Sequence, residues 1–247
     1  MNYLPRTIQP VIEEASKFFK IVMVSGMRQV GKSTLLKQLS SDKRTIISFD
    51  DINNLESAKN APLQFLQLNP PPCFFNQVQR VPEIFKALKI SVDSRSEKGL
   101  YWLSGSQKLS LMSQVSDALP GRLMNFELWP FSIYEIAGKG LEQKPYLPSF
   151  SLSSNLPILD PADTWNAVFQ GFWPELKKAT ETERSWFFRS LVDLYLSRDV
   201  RSLSGIGKFD EFEKFLITIA RRVGQELRLQ EIAKEAVSYT HLTLPTI

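Results

Sequence analysis

The segment GMRQVGKS, residues 26–33, has the residue types and spacing that most directly indicate chemistry. It follows the pattern G-x-x-x-x-G-K-[ST], in which glycines let successive backbone N–H groups wrap an anion and the lysine adds a positive charge. The serine hydroxyl is an oxygen ligand of the kind that Mg²⁺ prefers. The spacing therefore predicts a phosphate loop, defined here as residues 26–33, that binds the phosphates of a nucleotide.

Individual residues of the phosphate loop have separate predicted roles. Lys32 reaches the β- and γ-phosphates, and the Ser33 hydroxyl ligates Mg²⁺. Thr34 supports packing or contacts the α-phosphate. The complete set of predicted nucleotide contacts in this segment is Gly26, Met27, Arg28, Gln29, Val30, Gly31, Lys32, Ser33 and Thr34.

The elements on either side of the loop fit the context that this motif requires. KIVMVSG before it is a short β-branched run that predicts a buried strand, and KSTLLKQLSS after it predicts a helix. Further strands are predicted in RTIISFDD, CFFNQV, GLYWLSGS and RLMNFELW, with helical patterns around 5–19, 55–68, 82–94 and 107–117. This alternation predicts an α/β fold with a mostly parallel sheet covered on both faces.

Composition narrows the class of protein. The 247 residues are 43% hydrophobic and 23% charged, as in globular proteins, and the net charge of +4 is too small to indicate nucleic-acid binding by itself. The single cysteine, Cys73, excludes an internal disulfide and a cysteine metal cluster. No apolar run reaches the roughly 18 residues of a membrane span, and the first residues do not form a signal peptide. We therefore expect a soluble cytoplasmic protein.

Changes in composition and periodicity along the sequence predict several regions. Residues 1–138 carry the strand and helix alternation, 139–163 form a proline-rich linker, and 164–236 show helical patterns. The last two of these helical patterns are typical of the start of a helix-turn-helix. Residues 237–247, VSYTHLTLPTI, resemble the translation of a sequencing-library adapter, and the only histidine, His241, lies in them. We expect a non-native tail there and a natural chain cut short near Glu235.

Several segments besides the phosphate loop resemble the AAA+-like P-loop ATPases that join an AAA_14 core to a C-terminal DUF4143 domain. The resemblance covers nearly the whole chain to about residue 235, and its segments are GMRQVGKSTLLKQL, ISFDD, QVQRVPEIFKALK, LSGSQ, ALPGRLMNFELWPFSIYEI, GFWPEL and YLSRDVRSL. It implies a three-layer P-loop NTPase fold of the additional-strand type, followed by a truncated, mainly helical domain with winged-helix and nuclease-like character. It also implies Mg-ATP as the ligand.

One strand departs from the pattern of this family. There, the strand FFNQV would end in Asp-Glu, in which the aspartate helps to hold Mg²⁺ and the glutamate polarises the attacking water. Asn76 and Gln77 occupy these positions, so Asn76 is the predicted neutral metal ligand and both residues are degenerate catalytic positions. General-base and positioning effects each contribute about 10²–10⁴ in rate, so we expect weak or absent hydrolysis.

Three explanations of the two amides stay open. The chain is a nucleotide-binding pseudo-ATPase, or it hydrolyses ATP slowly through another acid, or the amides reflect sequence error or a decaying gene. Asp50, Asp51 and Glu83 are the nearest alternative acids along the sequence, although a solvated strand end explains each aspartate more simply.

Other polar residues are candidates for sensing or stabilising charge. LSGSQ ends a predicted strand, where Ser106 and Gln107, and less strongly Ser104, are candidates for a γ-phosphate sensor or for ordinary turn residues. Three arginines, Arg122, Arg28 and Arg80, are candidates for transition-state stabilisation within the chain or across a homo-oligomer interface. A surface salt bridge is the simpler interpretation of Arg122 and Arg28, and Arg80 is a weaker candidate for the same stabilising role.

The sequence leaves the biological role open among three functions. The leading one is an Mg-ATP-binding ATPase whose conformational change is transmitted to the C-terminal region. The second is a nucleotide-sensing regulator that contacts DNA through the helix-turn-helix, and the third is the motor of a nuclease or toxin-like system with a protein partner. No NKxD-type guanine-reading motif is present, which favours ATP over GTP.

Overall fold

A computed structural model of the chain describes residues 3–40, 43–106, 119–142, 161–195 and 209–236. The chain divides into two compact units, Met1–Thr180 and Glu181–Ile247. The predicted helix over 107–117, with Gln107, and most of the predicted linker lie outside the described residues. The domain boundaries at 138 and 163 stay predictions.

Five parallel strands form one sheet in the first unit. They are β1 (Ile21–Ser25), β2 (Thr45–Ser48), β3 (Cys73–Asn76), β4 (Tyr101–Ser104) and β5 (Leu123–Glu127). Their order across the sheet is β2-β3-β4-β1-β5, so β4 lies between β1 and β3. Every predicted strand is present, and the predicted α/β fold of the P-loop NTPase type is confirmed.

Both faces of the central strands are buried, as near-continuous apolar runs predict for a parallel sheet. The alternation of side chains places Val22, Phe74 and Trp102 in one hydrophobic cluster. Their neighbours along the same strands, among them Met23 and Phe75, belong to a second cluster on the opposite face.

Helices cover the two faces and produce three layers. The first unit contains α1 (Gln9–Phe18), α2 (Lys32–Ser40), α3 (Ile52–Asn60), α4 (Pro62–Leu68) and α5 (Ile84–Asp93). Helices α3, α4 and α5 pack their apolar residues with one sheet face, whereas α1 and α2 pack with the other. The single pattern predicted over 55–68 is two helices, because Ala61 leaves the helical conformation and Pro62 begins α4.

Two further helices and a 3₁₀ turn follow in the first unit. They are α6 (Ile133–Ile136), which a capping box of Ser132 and Glu135 begins, α7 (Pro161–Gln170), and a 3₁₀ turn, Pro174–Lys178.

The second unit contains α8 (Glu181–Leu194), α9 (Phe209–Ala220) and α10 (Leu229–Ala236). Within the ranges that the structure describes, no helix has both the length and the apolar composition to cross a membrane.

Candidate nucleotide-binding site

The candidate site lies at the carboxyl edge of the sheet, where β1, β3 and β4 end side by side. The phosphate loop follows β1 and leads directly into α2, Asn76 is the last residue of β3, and Ser104 is the last residue of β4. In open α/β sheets, ligands bind in the crevice outside these strand ends. The fold therefore brings the predicted loop and the predicted metal position to one edge.

The backbone of the phosphate loop requires glycine at two positions. Gly26 has φ +143°, and a Cβ there would lie 2.3 Å from the Leu128 carbonyl oxygen. Gly31 has φ +95°, in the region that side chains disfavour, and its carbonyl accepts the Leu35 N–H in the first turn of α2. Gln29 is also left-handed, with φ +62°. The loop thus has the tight turns that direct N–H groups toward an anion at the helix start.

Side chains from outside the phosphate loop bind two of its carbonyl oxygens. Arg6 Nη1 donates to the Val30 oxygen at 2.8 Å, and Trp173 Nε1 donates to the Arg28 oxygen at 3.1 Å. A carbonyl fixed toward such donors leaves the N–H groups of the loop available to a phosphate. Because these donors are 24 and 145 residues from their acceptors, no local pattern in the sequence indicated either contact.

The buried Arg6 side chain is held by contacts with Glu135, which balances its charge, and with Phe131. Its Nε lies 3.1 Å from Glu135 Oε2, and both side chains are almost fully buried. The guanidinium also lies 4.5 Å from the centre of the Phe131 ring. Burial lowers the pKa of Arg6, and the charge of Glu135 opposes that shift. The pair therefore fixes the donor that supports Val30, and loss of either partner would leave an uncompensated buried charge.

Lys32 folds back on the phosphate loop. Its Nζ donates to the Gly26 oxygen at 3.0 Å and to the Met27 oxygen at 2.5 Å. Burial, with a smaller contribution from the charge of Arg28, lowers the pKa of Lys32 to about 8. An anion in the loop would favour the protonated amine, because an opposite charge favours the charged form.

Asn76 and Ser33, the predicted metal pair, are in direct contact. Ser33 Oγ donates to Asn76 Oδ1 at 2.5 Å, and Ser104 Oγ donates to the same oxygen at 2.7 Å. The amide nitrogen of Asn76 donates to Ser48 Oγ at 3.2 Å. The amide is only 6% exposed, and both of its ends have partners. It thus presents a fixed, neutral oxygen to the Ser33 hydroxyl.

Gln77, the other amide, has a left-handed backbone with φ 64° and ψ 42°. This conformation costs a non-glycine residue about 1–2 kcal/mol, so the surrounding structure must impose it. Gln79 Nε2 donates to Gln77 Oε1 at 2.6 Å, and Gln79 Oε1 accepts the Ser106 N–H at 3.3 Å. The side chain of Gln79, which the sequence did not single out, therefore connects the end of β3 with the end of β4.

The alternative acids have different surroundings. Asp50 accepts a hydrogen bond from Ser48 Oγ at 3.4 Å and is paired with Arg80 Nη1 at 3.0 Å. Asp51 caps α3 by accepting the N–H groups of the first turn, which gives it a structural role. Glu83 is exposed and immediately precedes α5. Asp50 alone is connected to Asn76, through the Ser48 hydroxyl.

Arg122 lies away from the site. It directly precedes β5, and its carbonyl accepts the N–H of Ile21, the first residue of β1. In a parallel sheet this is the amino edge, opposite to the phosphate loop, and the Arg122 side chain is paired there with Asp93. The structure therefore places Arg122 away from the phosphate loop of its own chain, and its role in stabilising a transition state, within the chain or across an oligomer interface, stays a prediction.

A cavity of about 820 Å³ adjoins the start of α2. Gly31 and Thr34 line it together with Tyr3, Phe131 and Lys177. A volume of this size fits a small-molecule ligand. Charged side chains also line the cavity, namely Arg6, Glu175, Lys177 and Lys178, so its walls are more polar than those of typical ligand pockets. Among the described residues, no group of three His, Cys, Asp or Glu side chains is placed to hold a metal ion.

Comparison with known families agrees with this geometry. Residues 18–137 match the AAA_14 family, described as an AAA domain. This match supports an AAA+-like ATPase family for the sheet region and, with it, nucleotide binding.

The C-terminal third of the chain matches a different family from the one predicted. Residues 162–244 match DUF8612, a domain of unknown function, so the prediction of a DUF4143 domain was wrong. Apolar spacing indicates helices, but it does not distinguish one family of helical domains from another. The match extends into residues 237–247, whose non-native origin stays a prediction.

Two curated relatives are similar to the chain over a shared region. They are the uncharacterized proteins Mb2031c of Mycobacterium bovis and Rv2008c of Mycobacterium tuberculosis. Each is 27% identical over 141 residues, which cover 55% of this chain and 32% of the relative. The chain thus spans about a third of the length of these relatives.

Proposed function

We propose that the chain binds Mg-ATP in the phosphate loop and hydrolyses it weakly or not at all. The observation that carries the proposal is the contact of Ser33 Oγ with Asn76 Oδ1 at 2.5 Å. It keeps the hydrogen-bond geometry between loop and strand end, while the residue at the strand end has no charge. Binding and turnover are thereby separated in one site.

The phosphate loop supports the binding half of the proposal. Its left-handed turns, and the side chains that donate to its carbonyls, orient the backbone N–H groups so that they can bind a phosphate. Lys32 supplies the positive charge. A phosphate oxygen would replace the loop carbonyls that Lys32 contacts. The adjoining cavity has room for the nucleoside. Two polar side chains of the cavity adjoin the loop: Thr34, directly after Ser33, and Arg6, which donates to the Val30 oxygen.

Ser33 and Asn76 are the residues that would hold Mg²⁺. Hydroxyl and amide oxygens are hard ligands of the right kind, and Mg²⁺ usually keeps several waters in such sites. The ion would neutralise phosphate charge when bound. Because Asn76 is neutral, it attracts the ion through a dipole alone, so we expect Mg²⁺ affinity to depend mainly on the nucleotide phosphates.

Gln77 supports the proposal of weak hydrolysis. A carboxamide does not accept a proton near neutral pH, so it lacks the basicity that a glutamate would provide. The oxygen of Gln77 is moreover engaged by Gln79. Asp50 is the remaining acid connected to the site, but it is exposed and paired with Arg80. Slow hydrolysis through Asp50 would require that ion pair to open.

No observation favours DNA binding as a second function. The turn between α9 and α10 carries two arginines with described partners. Arg222 is paired with Glu231 and Glu235, and Arg228 is paired with Glu226 and Glu231. These contacts neutralise Arg222 and Arg228, whereas Arg221 of the same turn is exposed. The substrate and partners of the whole protein stay proposals.

Displacement of a fluorescent ATP analogue by Mg-ATP tests binding. We expect saturable binding by the chain and about 100-fold weaker binding by Lys32→Ala, because a hydrogen bond to a charged group contributes about 1.5–3 kcal/mol. Lys37→Ala is the matched control, since Lys37 is an exposed lysine of the same helix. If Lys32→Ala binds the nucleotide as tightly as the wild type does, the nucleotide lies outside the phosphate loop. If neither protein binds it, the proposed nucleotide binding is excluded.

A further inference from the structure

Gln79 uses both ends of its side chain to join two strand ends. Its nitrogen donates to Gln77 Oε1 at 2.6 Å, and its oxygen accepts the backbone N–H of Ser106 at 3.3 Å. Gln79 belongs to the 3₁₀ turn Val78–Arg80, which directly follows Gln77. The side chain therefore fixes Gln77, at the end of β3, relative to the segment that leaves β4.

These contacts set the polarity of Gln77. A glutamine side chain has one acceptor oxygen and an NH₂ group with two donors. One lone pair of the oxygen already accepts from Gln79, so the end of the Gln77 side chain without a partner among the described contacts is the amide nitrogen, which is a donor. A terminal phosphate has only acceptor oxygens, so it matches a donor. A glutamate at this position would present the opposite polarity.

Ser106 provides a second donor on the same edge. Its backbone N–H is bound by Gln79, and its Oγ is buried without a hydrogen-bond partner among the residues that the structure describes. An unpaired buried hydroxyl costs free energy that an acceptor would recover. Ser104, two residues earlier, donates to Asn76 Oδ1 beside Ser33, which places the end of β4 next to the loop.

We infer that Gln79 is a positioning residue that lets the site distinguish a nucleoside triphosphate from a diphosphate. It orients the Gln77 amide as a donor and holds the Ser106 segment beside it, so that both meet the γ-phosphate. The inference rests on the proposed nucleotide site. It assigns to the end of β3 a function in recognising the γ-phosphate rather than in hydrolysing ATP.

The test compares the affinities for Mg-ADP and for the magnesium complex of a β,γ-imido ATP analogue. Gln79→Met keeps the length and the unbranched shape of the side chain and removes both hydrogen bonds. We expect the preference for the triphosphate to fall about tenfold while the Kd for Mg-ADP changes less than about twofold. Gln67→Met, on the exposed surface of α4, is the control and should keep the wild-type preference.

A double-mutant cycle determines whether Gln79 acts through Gln77. If it does, the loss of preference in Gln77→Met with Gln79→Met is smaller than the sum of the two single losses, and any loss beyond that of Gln77→Met alone measures the action of Gln79 through the Ser106 segment. Additive losses would overturn the inference, as would an unchanged preference in Gln79→Met. If Gln79→Met weakens the binding of both nucleotides equally, Gln79 has only a structural role, and this result would also overturn the inference. Thermal melting without nucleotide checks that each variant is folded.

The outcomes also separate this inference from the proposed function. If the wild-type chain binds both nucleotides with equal affinity, the inference fails and nucleotide binding survives. If the wild-type chain binds neither, the proposed function fails and the inference fails with it.

Discussion

The phosphate loop and the end of β3 meet at one edge of the sheet, but only the loop has the charged and backbone groups that its predicted role requires. The loop has its glycine turns, its lysine and external donors on its carbonyls. The end of β3 has kept only the shape of a catalytic strand end, since Asn76 and Gln77 are neutral. In the proposed function, the difference means that binding depends on backbone geometry and one cation, whereas turnover depends on carboxylate charge.

The hydrogen bonds of Asn76 show why the fold accepts the amide. The Asn76 oxygen accepts from Ser33 and Ser104, as a carboxylate oxygen would. Its nitrogen donates to Ser48 Oγ, whose own proton is directed to Asp50. A carboxylate at 76 would need that Ser48 proton for itself. The network is therefore satisfied with an amide and would have to reorganise for an acid.

Restoring both acids should have the largest effect. We expect Asn76→Asp with Gln77→Glu to raise steady-state phosphate release from Mg-ATP by about 10²–10⁴-fold, because the acids restore charge near the metal and a proton acceptor for water. Phosphate release at saturating Mg-ATP measures the change, after both proteins are shown to bind the fluorescent analogue. Equal rates in the two proteins would mean that the catalytic acid lies elsewhere.

The pH dependence of binding tests the loop. The pKa of Lys32 is about 8 in the free chain, below its usual value, and bound phosphate should raise it. Affinity should therefore be constant below pH 8 and fall about tenfold for each pH unit above it, until the pKa of the complex is reached. Titrations with Mg-ATP between pH 6.5 and pH 9.5, roughly the range that spans this shift, measure it.

The corresponding stability effect has a defined sign. The folded pKa of Lys32 lies below its unfolded value, so the protonated amine costs stability below pH 8, and this cost is relieved as pH rises from about 8 toward 10.5. Lys32→Arg keeps the charge at every pH and should remove the slope in affinity. A slope that persists in Lys32→Arg would identify another titrating group.

The charge at 76 alone should have a smaller effect on metal dependence. We compare the affinity for ATP in the presence of Mg²⁺ with the affinity in the presence of a chelator. Asn76→Asp should increase the ratio of the first to the second by about tenfold, because the carboxylate adds negative charge near the metal. Asn60→Asp, at the exposed end of α3, makes the same charge change away from the site. A similar ratio in both variants would show that residue 76 does not act on the metal.

Loss of one external donor should have the smallest effect. Trp173→Phe keeps an aromatic ring and removes the N–H that binds the Arg28 oxygen. We expect Mg-ATP and Mg-ADP to bind about threefold to tenfold more weakly, and equally so, because one neutral hydrogen bond contributes about 0.5–1.5 kcal/mol. Trp165→Phe, at an exposed position of α7, is the control. A change confined to Mg-ATP would contradict this role.

The sequence predicted local structure well where one pattern dominated. All five strands followed from apolar runs, and the phosphate loop followed from its motif and its context. The break between α3 and α4 was not predicted, because the apolar pattern continues across Pro62. For Arg122, the residue type indicated a possible role, but only the position of β5 showed that the side chain lies at the opposite edge.

The sequence by itself determined the phosphate-loop motif, the alternation that builds the sheet, and the neutral side chains at residues 76 and 77. These are properties of residue type and short spacing. Tertiary structure alone decided that Arg6 and Trp173 bind the carbonyls of the loop, that Asn76 is shared by Ser33, Ser48 and Ser104, and that Gln79 joins two strand ends. The physical reason is that each hydrogen bond needs a donor and an acceptor within about 3 Å, and only the packing of the sheet and its flanking segments brings such distant residues together.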